Sequence, residues 1–300
     1  MLKKEMMDFE KFVHSDVAEY DFCVLIPTWN NLPFLRNCLD SLSKHSTLKI
    51  QPIVIANEGK DGTVDWLQSV QKIDYIHAKR NMGICYALNI ARSLAKADYI
   101  VYSNDDMYFL PDWDVKMMQE IKQLDHHYFM LSATMIEPEE TGNPCVSIAN
   151  YGRDLDSFDE KKLVSTFHTH HKEDWKGSTW PPNVVHKDIW DLVGGLSIEY
   201  SPGMYSDPDF SMKLYQAGVR HFKGIGNSMV YHFGSKSTKR IRKNKGRSTF
   251  ILKWGMTANY FMNKILNIGK PWFQDVQKHK LSAWDKGILK IKRMLAALSQ

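Results

Sequence analysis

The chain has 300 residues, 43% apolar and 24% charged, the balance of a globular protein with length for one large domain or two small ones. That composition excludes a disordered chain, a collagen-like repeat and a small disulfide scaffold. The net charge of +5 is local, because seven basic residues and no acid lie between Lys236 and Arg247, so the chain as a whole is not a nucleic-acid-binding protein.

In chain order, residues 1–20 form an N-terminal extension whose acids interrupt any apolar run, unlike a secretory signal. FCVLIP (22–27) is a compact apolar run ended by Pro27 and predicts a buried strand. Leu35, Leu39 and Leu42 then recur at helical spacing. A second strand is predicted over 50–56, followed by the loop NEGKDG and a helix from Thr63. A third strand covers 73–77, and Ile84, Leu88, Ala91 and Leu94 define one face of a helix over 83–97. DYIVYS (98–103) is a fourth strand and 113–124 another helix. Such alternation predicts a mostly parallel sheet covered by helices.

After about residue 135 the rhythm changes. Residues 137–182 are rich in Gly, Pro, Asp, His and Thr and read as loops with short strands. A helix over 186–193 ends at Gly194-Gly195, and another runs from Asp207-Pro208 to Gly218, with Asp207 as its N-cap. MVYHF (229–233) is a strand, and from 248 onward the chain reads as helical. Cys23, Cys38, Cys85 and Cys145 are scattered without a CxxC pair, which suits free thiols in a reducing, cytoplasmic compartment. No stretch approaches 18 uncharged apolar residues.

In sheets of this kind ligands bind beyond the carboxyl ends of the strands. Those ends carry Pro27-Thr28-Trp29-Asn30, Asn57-Glu58-Gly59-Lys60-Asp61-Gly62 and Asn104-Asp105-Asp106. Two adjacent carboxylates after a buried strand repel unless a cation lies nearby, and Mg²⁺ or Mn²⁺ is the economical answer. A solvated turn is the plainer reading, since Asn-Asp-Asp is also turn chemistry.

The series PTWN, NEGKDGT, NMG…ALN (81–89) and DYIVYSNDDMYFLP (98–111) resembles the family-2 glycosyltransferases of the GT-A fold. GGLSIEYSPGMYSDPDFSMKLYQAG (194–218) and VYHFGSKST (230–238) look like that family's later motifs. The resemblance implies a GT-A domain over 21–235, with a nucleotide-sugar half to about 135 and an acceptor half beyond it. Residues 236–300 would then be a basic loop and C-terminal helices. It further implies that Pro27, Thr28, Asn30, Asn57, Asn81, Gly83 and Asp105 meet the nucleotide sugar, with a UDP-sugar the first expectation. Asp106 and His232 would ligate Mn²⁺ or Mg²⁺, and Asp207 would be the general base of an inverting transfer to a saccharide or glycolipid acceptor. Trp180 and Asp209 are acceptor-side candidates, Asp209 also standing as second choice for the base. The family usually has acid at the positions of Ala56 or Asn57 and of Ser103; Asn57 fits one variant, while Ala56 and Ser103 depart. These departures keep open a catalytically inactive relative that binds carbohydrate or a partner. A sugar-nucleotide nucleotidyltransferase is disfavoured, because PTWNNLPF lacks the Gly-rich basic loop such enzymes place after the first strand.

The basic run after His232 reads as a solvated loop, a lid over the diphosphate, or a contact for anionic lipid headgroups. Residues 284–298 form an amphipathic helix. It would pack on its own domain or make peripheral contact with the inner face of a membrane. The cluster His168, His170 and His171 has no companion ligands in the sequence, and Trp175 falls in the irregular middle section.

Overall fold

The computed structural model describes residues 8–15, 19–70, 72–234 and 244–298. The first half comprises β1 (Phe9–Phe12), β2 (Phe22–Trp29), α1 (Leu32–His45), β3 (Ile50–Asn57), α2 (Thr63–Val70), β4 (Asp74–Ala78), α3 (Gly83–Ala91), β5 (Tyr99–Tyr102), β6 (Met107–Phe109) and α4 (Trp113–Gln123). The second comprises β7 (Phe129–Glu137), β8 (Ser147–Ile148), α5 (Glu160–Thr166), β9 (Trp175–Lys176), β10 (Asn183–His186), α6 (Lys187–Val193), α7 (Ser206–Gln216) and β11 (His221–His232). Then follow α8 (Gly246–Trp254), α9 (Ala258–Tyr260) running into a π-helical turn (Phe261–Leu266), and α10 (Ala283–Leu298).

A single mostly parallel sheet runs β1-β4-β3-β2-β5-β10-β7-β11-β6, with β8 on β7 and β9 on β11. Strands β4, β3, β2 and β5 are mutually parallel, as are β7 and β11; β10 lies antiparallel between the two sets. The continuous apolar run of β2 is explained by burial on both faces. Phe22, Val24 and Ile26 point toward α1, α2 and α4, where Leu35, Leu39, Leu67 and Trp113 pack, while Cys23 and Leu25 join the core under α3, α6 and α7.

The chain leaves β2 for β3 and β4 on one side, then returns to place β5 on the other. That reversal makes a topological switch point between β2 and β5, where a crevice opens at their carboxyl ends. Register shows the opening directly. Leu25 pairs with Tyr102, the last residue of β5, whereas β2 continues to Trp29 alongside β3.

Several elements differ from the sequence reading. Phe9–Phe12 of the N-terminal extension is an edge strand, antiparallel to β4. The third helix is regular only to Ala91 and tightens to a 3-10 turn over Arg92–Leu94. The nine-residue β7 is buried throughout, and β11 begins at His221, eight residues before the apolar MVYHF stretch. Residues of α8, α9 and the π-helical turn, among them Phe250, Ala258, Phe261 and Leu266, belong to the same core as α3 and α7. All four cysteines are buried free thiols. Among the described residues, no helix is long and apolar enough to cross a membrane.

Candidate active site

The crevice widens into a cavity of about 780 Å³ lined by the ends of β2, β3, β5, β7 and β11 and by the loop entering α7. Thr28, at the end of β2, donates its hydroxyl to Asp105 Oδ2 at 2.6 Å across the splayed strands. Asn57 lines the cavity, but its side chain ties neighbours together: Nδ2 donates to Thr28 O at 3.3 Å and Oδ1 accepts from Met82 N at 3.0 Å. Asn81 accepts from Gly83 N at 2.8 Å, opening α3. Gly83 has φ +74, and a Cβ there would lie 2.6 Å from Pro202 Cα. Only glycine admits the 201–205 loop this close, and Ile84 N bonds Pro202 O at 2.9 Å.

The acidic pair sits on the link from β5 to β6. Because β6 is the antiparallel neighbour of β11, with Met107 opposite His232, that link crosses the top of the sheet. His232 Nε2 lies 3.5 Å from Asp106 Oδ1 and Nδ1 lies 2.8 Å from Glu137 Oε1. Thr141 Oγ1 holds the other Glu137 oxygen at 2.9 Å. Burial acts to lower the His232 imidazole, but Asp106 and Glu137 together outweigh it and hold it at about 10. Burial and then the neighbouring Asp106 push Asp105 up, against the hydrogen bonds of Thr28 and Asn31. With its Nε2 proton given up to solvent, His232 beside the buried Asp106 carboxylate would form a mixed nitrogen and oxygen donor set, which Mn²⁺ accepts more readily than Mg²⁺ with its preference for oxygen alone.

Asp207 also lines the cavity. The structure corrects its expected role as a helix cap: α7 starts at Ser206, the N-cap residue is Tyr205 with φ 72, and no side chain caps the helix. Asp207 thus lies inside the first turn, its carboxylate half-buried yet open to the cleft, and burial raises it to about 7. Tyr102 shares the wall. Its hydroxyl is pushed well up by burial and then by Asp207, Cys85, Asp106 and Asp105, which places the three carboxylates around one ring.

Two expected contacts lie elsewhere. Asn30 is outside the cavity lining and braces the loop after β3, accepting from Lys60 N at 2.8 Å and donating to Glu58 at 3.1 Å. Asp209 is fully buried away from the cavity, bonded to Trp254 Nε1 at 2.7 Å and paired with Lys253 at 3.0 Å, so it anchors α8 to α7 and is unavailable as a base. Trp180 lines the cavity, with a buried indole N–H that has no hydrogen-bond partner among the described residues. Trp175 is core, bonding Thr134 Oγ1 at 2.9 Å. Pro27 and His232 are also in the lining. Lys236 to Lys243, most of the basic run, lie outside the described residues.

A model described as "Glycosyl transferase family 2" matches residues 23–174, more than half of the chain. The chain belongs to that family. Chondroitin synthase of Pasteurella multocida (strain Pm70) is 24% identical over 248 residues, covering 80% of this chain and 24% of that protein. Hyaluronan synthase of Pasteurella multocida is 24% identical over 226 residues, covering 73% and 21%. The chain therefore spans less than a quarter of the length of these curated relatives. S. aureus TarS 1-349 in complex with UDP-GlcNAc superposes with a TM-score of 0.57 at 12% identity, covering 93% of this chain and 73% of that one. Mannosyltransferase PcManGT from Pyrobaculum calidifontis in complex with GDP-Man and Mn2+ gives 0.51 at 15% identity, covering 92% and 70%. The shared architecture is the GT-A fold.

This family-2 chain departs from the usual pattern at two positions, and the structure explains both. Ala56 packs in the core facing α1 and α2, where an acid would be buried among Val54, Leu35 and Leu67. Ser103 is fully buried, with its hydroxyl on Asn104 O and the Met107 sulfur. The family-2 motif residue Asn89 clamps the 194–196 turn, exchanging bonds of 2.7 and 2.8 Å with Leu196. Sequence reading missed Glu137, Tyr102 and Tyr205. Glu137 had the same signature as Asp105, an acid ending an apolar run, but Ser132 and Thr134 break that run in the sequence. A separate cluster, His127, His186 and Asp188, stands by the amino end of β5, at the far edge from the cleft. There His186 accepts from Asp188 N and caps α6.

Proposed function

We propose that the chain transfers a sugar from a UDP-sugar to a hydroxyl of a saccharide or glycolipid acceptor, inverting the anomeric carbon, with Asp207 as general base. The observation that carries this reading is Asp207 itself. Its carboxylate opens on the same cavity as Asp105 and Asp106, and its raised value of about 7 matches a base working near neutrality. The acceptor hydroxyl loses its proton to Asp207 as its oxygen attacks the anomeric carbon, and the nucleoside diphosphate leaves on the opposite side. Thr28 and Asn57 shape the wall beside the nucleotide, and Asp105, fixed by Thr28, faces the ribose. Asp106 and His232 would hold Mn²⁺, which supplies Lewis-acid stabilisation of the charge that develops on the departing diphosphate. The Trp180 N–H, without a partner among the described residues, and its ring provide a donor and a stacking face for a sugar. Complexes of fold neighbours with UDP-GlcNAc and with GDP-Man and Mn2+ support a nucleotide-sugar donor and a cation.

The test is nucleoside-diphosphate release from UDP-, GDP- and dTDP-sugars, with and without Mn²⁺. Wild type is compared with Asp106→Ala and Asp207→Asn. One donor is expected to turn over, with Asp106→Ala losing the Mn²⁺ response. Asp207→Asn should bind donor normally but transfer about 10²- to 10⁴-fold more slowly. Failure of every sugar nucleotide to bind, with Mn²⁺ present, would replace this reading by a non-catalytic carbohydrate-binding relative.

A further inference from the structure

Helix α10 presents its apolar side to solvent. At 100° per residue, Trp284, Ile288, Ile291, Leu295 and Leu298 fall within an arc of about 80°. Leu289, on the opposite side, is 4% exposed, facing the domain, whereas Trp284, Ile291, Leu295 and Leu298 are 77, 61, 61 and 85% exposed. Burial thus inverts the usual arrangement, in which an amphipathic helix turns its apolar stripe inward. The arc is bordered by Lys292 on one side and, further round, by Lys290 on the other, while Lys286 and Arg293 lie on the opposite side of the helix, all four exposed. The helix's one acid, Asp285, is engaged with its N-cap Ser282 at 2.6 Å and with Tyr260.

We propose that α10 is a docking surface for an anionic lipid bilayer, lying in the interface with its outer arc among the acyl chains and its lysines at the headgroups. An apolar arc with a tryptophan, free of acids within it and bordered by Lys292 and Lys290, with the border acid Asp285 engaged by Ser282 and Tyr260, is the composition of an in-plane membrane helix. A second copy of the chain fits the same surface less well. Twofold pairing sets identical faces together, so the bordering Lys290 and Lys292 would be brought against like charges. The placement also has a consequence. Tyr260, which holds Asp285 at the start of α10, is the chain neighbour of Asn259, which lines the cleft. A bilayer against α10 therefore lies beside the cleft rim. Docking itself does not depend on the transfer reading.

The experiment is co-sedimentation of the full chain with phosphatidylcholine vesicles, with and without phosphatidylglycerol, at low and high salt, in the absence of any sugar nucleotide. The chain is expected to partition onto phosphatidylglycerol-containing vesicles and to be released by salt. Replacing outward-facing residues in the double variant Ile291→Asp, Leu295→Asp should leave the melting temperature unchanged and abolish partition. Lys290→Gln should weaken it about fivefold. Equal binding by the double variant would assign any lipid contact to another segment and overturn the proposal. So would an absence of vesicle binding. A wild-type dimer in sedimentation equilibrium that the double variant converts to monomer, without vesicle binding, would assign the face to a second copy instead.

Discussion

Asp207 and Glu137 show how single side chains in the cleft carry opposing demands. An ordinary aspartate titrates near 4, whereas Asp207 is held at about 7 by burial. Between those values the folded state keeps a proton that the unfolded chain has released, so stability falls as pH rises from about 4 to about 7 and levels off above. Asp207→Asn is therefore expected to flatten that decline and to stabilise the fold at pH 8 by about 1–2 kcal/mol. This figure is discounted because the carboxylate meets solvent in the cleft. Denaturant titrations of both proteins from pH 4 to 8 test it; an unchanged slope would show that Asp207 is not the group responsible. Glu137 acts through His232. It fixes the imidazole by Nδ1, leaving Nε2 toward Asp106, and is itself fixed by Thr141. Glu137→Gln is expected to weaken Mn²⁺ binding about 10- to 100-fold, read by the free-Mn²⁺ paramagnetic resonance signal, while the fold melts normally. Unaltered Mn²⁺ affinity would reduce Glu137 to a packing residue.

Among the elements, the contact between the start of α3 and the loop entering α7 is the one that shapes the cavity. Gly83 and Gly194 share a left-handed backbone, φ +74 and +71, but only Gly83 has backbone within reach of an added Cβ. Gly194→Ala thus measures the conformational cost alone, about 1 kcal/mol. Gly83→Ala adds a clash with Pro202 and should cost about 2–4 kcal/mol by urea titration, with a parallel loss of nucleotide binding. Equal costs at the two sites would mean that the loop yields freely. Strands β2, β3 and β5 were legible because burial on both faces writes an unbroken apolar run. Helices α1 and α3 were legible through their period. The polar residues of β7 concealed it, since Ser132 and Thr134 are satisfied internally, by Ser178, Trp180 O and Ile225 O. The first half of β11 hid behind Lys223, which is paired with Glu120 and Asp174. Gly224 is required there because the Trp175 ring lies on it. Within the site, motif order located Thr28, Asp105, Asp106, Asp207 and His232 in one cleft. No local pattern could reveal that Asp209, two residues from Asp207, turns inward onto Trp254 and Lys253.

For the molecule as a whole, the four thiols report on cohesion. Burial pushes Cys23 up to about 11 and Cys85 and Cys145 to about 12, and it raises Cys38 as well. None should react with a disulfide reagent except through opening of the fold, and all four should then react together. A saturating UDP-sugar should slow that reaction by mass action. One thiol reacting ahead of the rest would identify a part that opens alone. The antiparallel β10 seams the two parallel sets together, pairing β5 through Tyr99–Tyr102 and β7 through Leu131 and Ser132. It enters the chain at Asn183, long after β5 ends at Tyr102. On a ribosome adding about 5–20 residues per second, β5 stands with a bare edge for roughly 4–16 s before its neighbour is made. An uncovered apolar strand edge is a template for wrong pairing. The nascent chain therefore carries that open edge through the interval, and truncations ending before Asn183 should aggregate where the full chain does not.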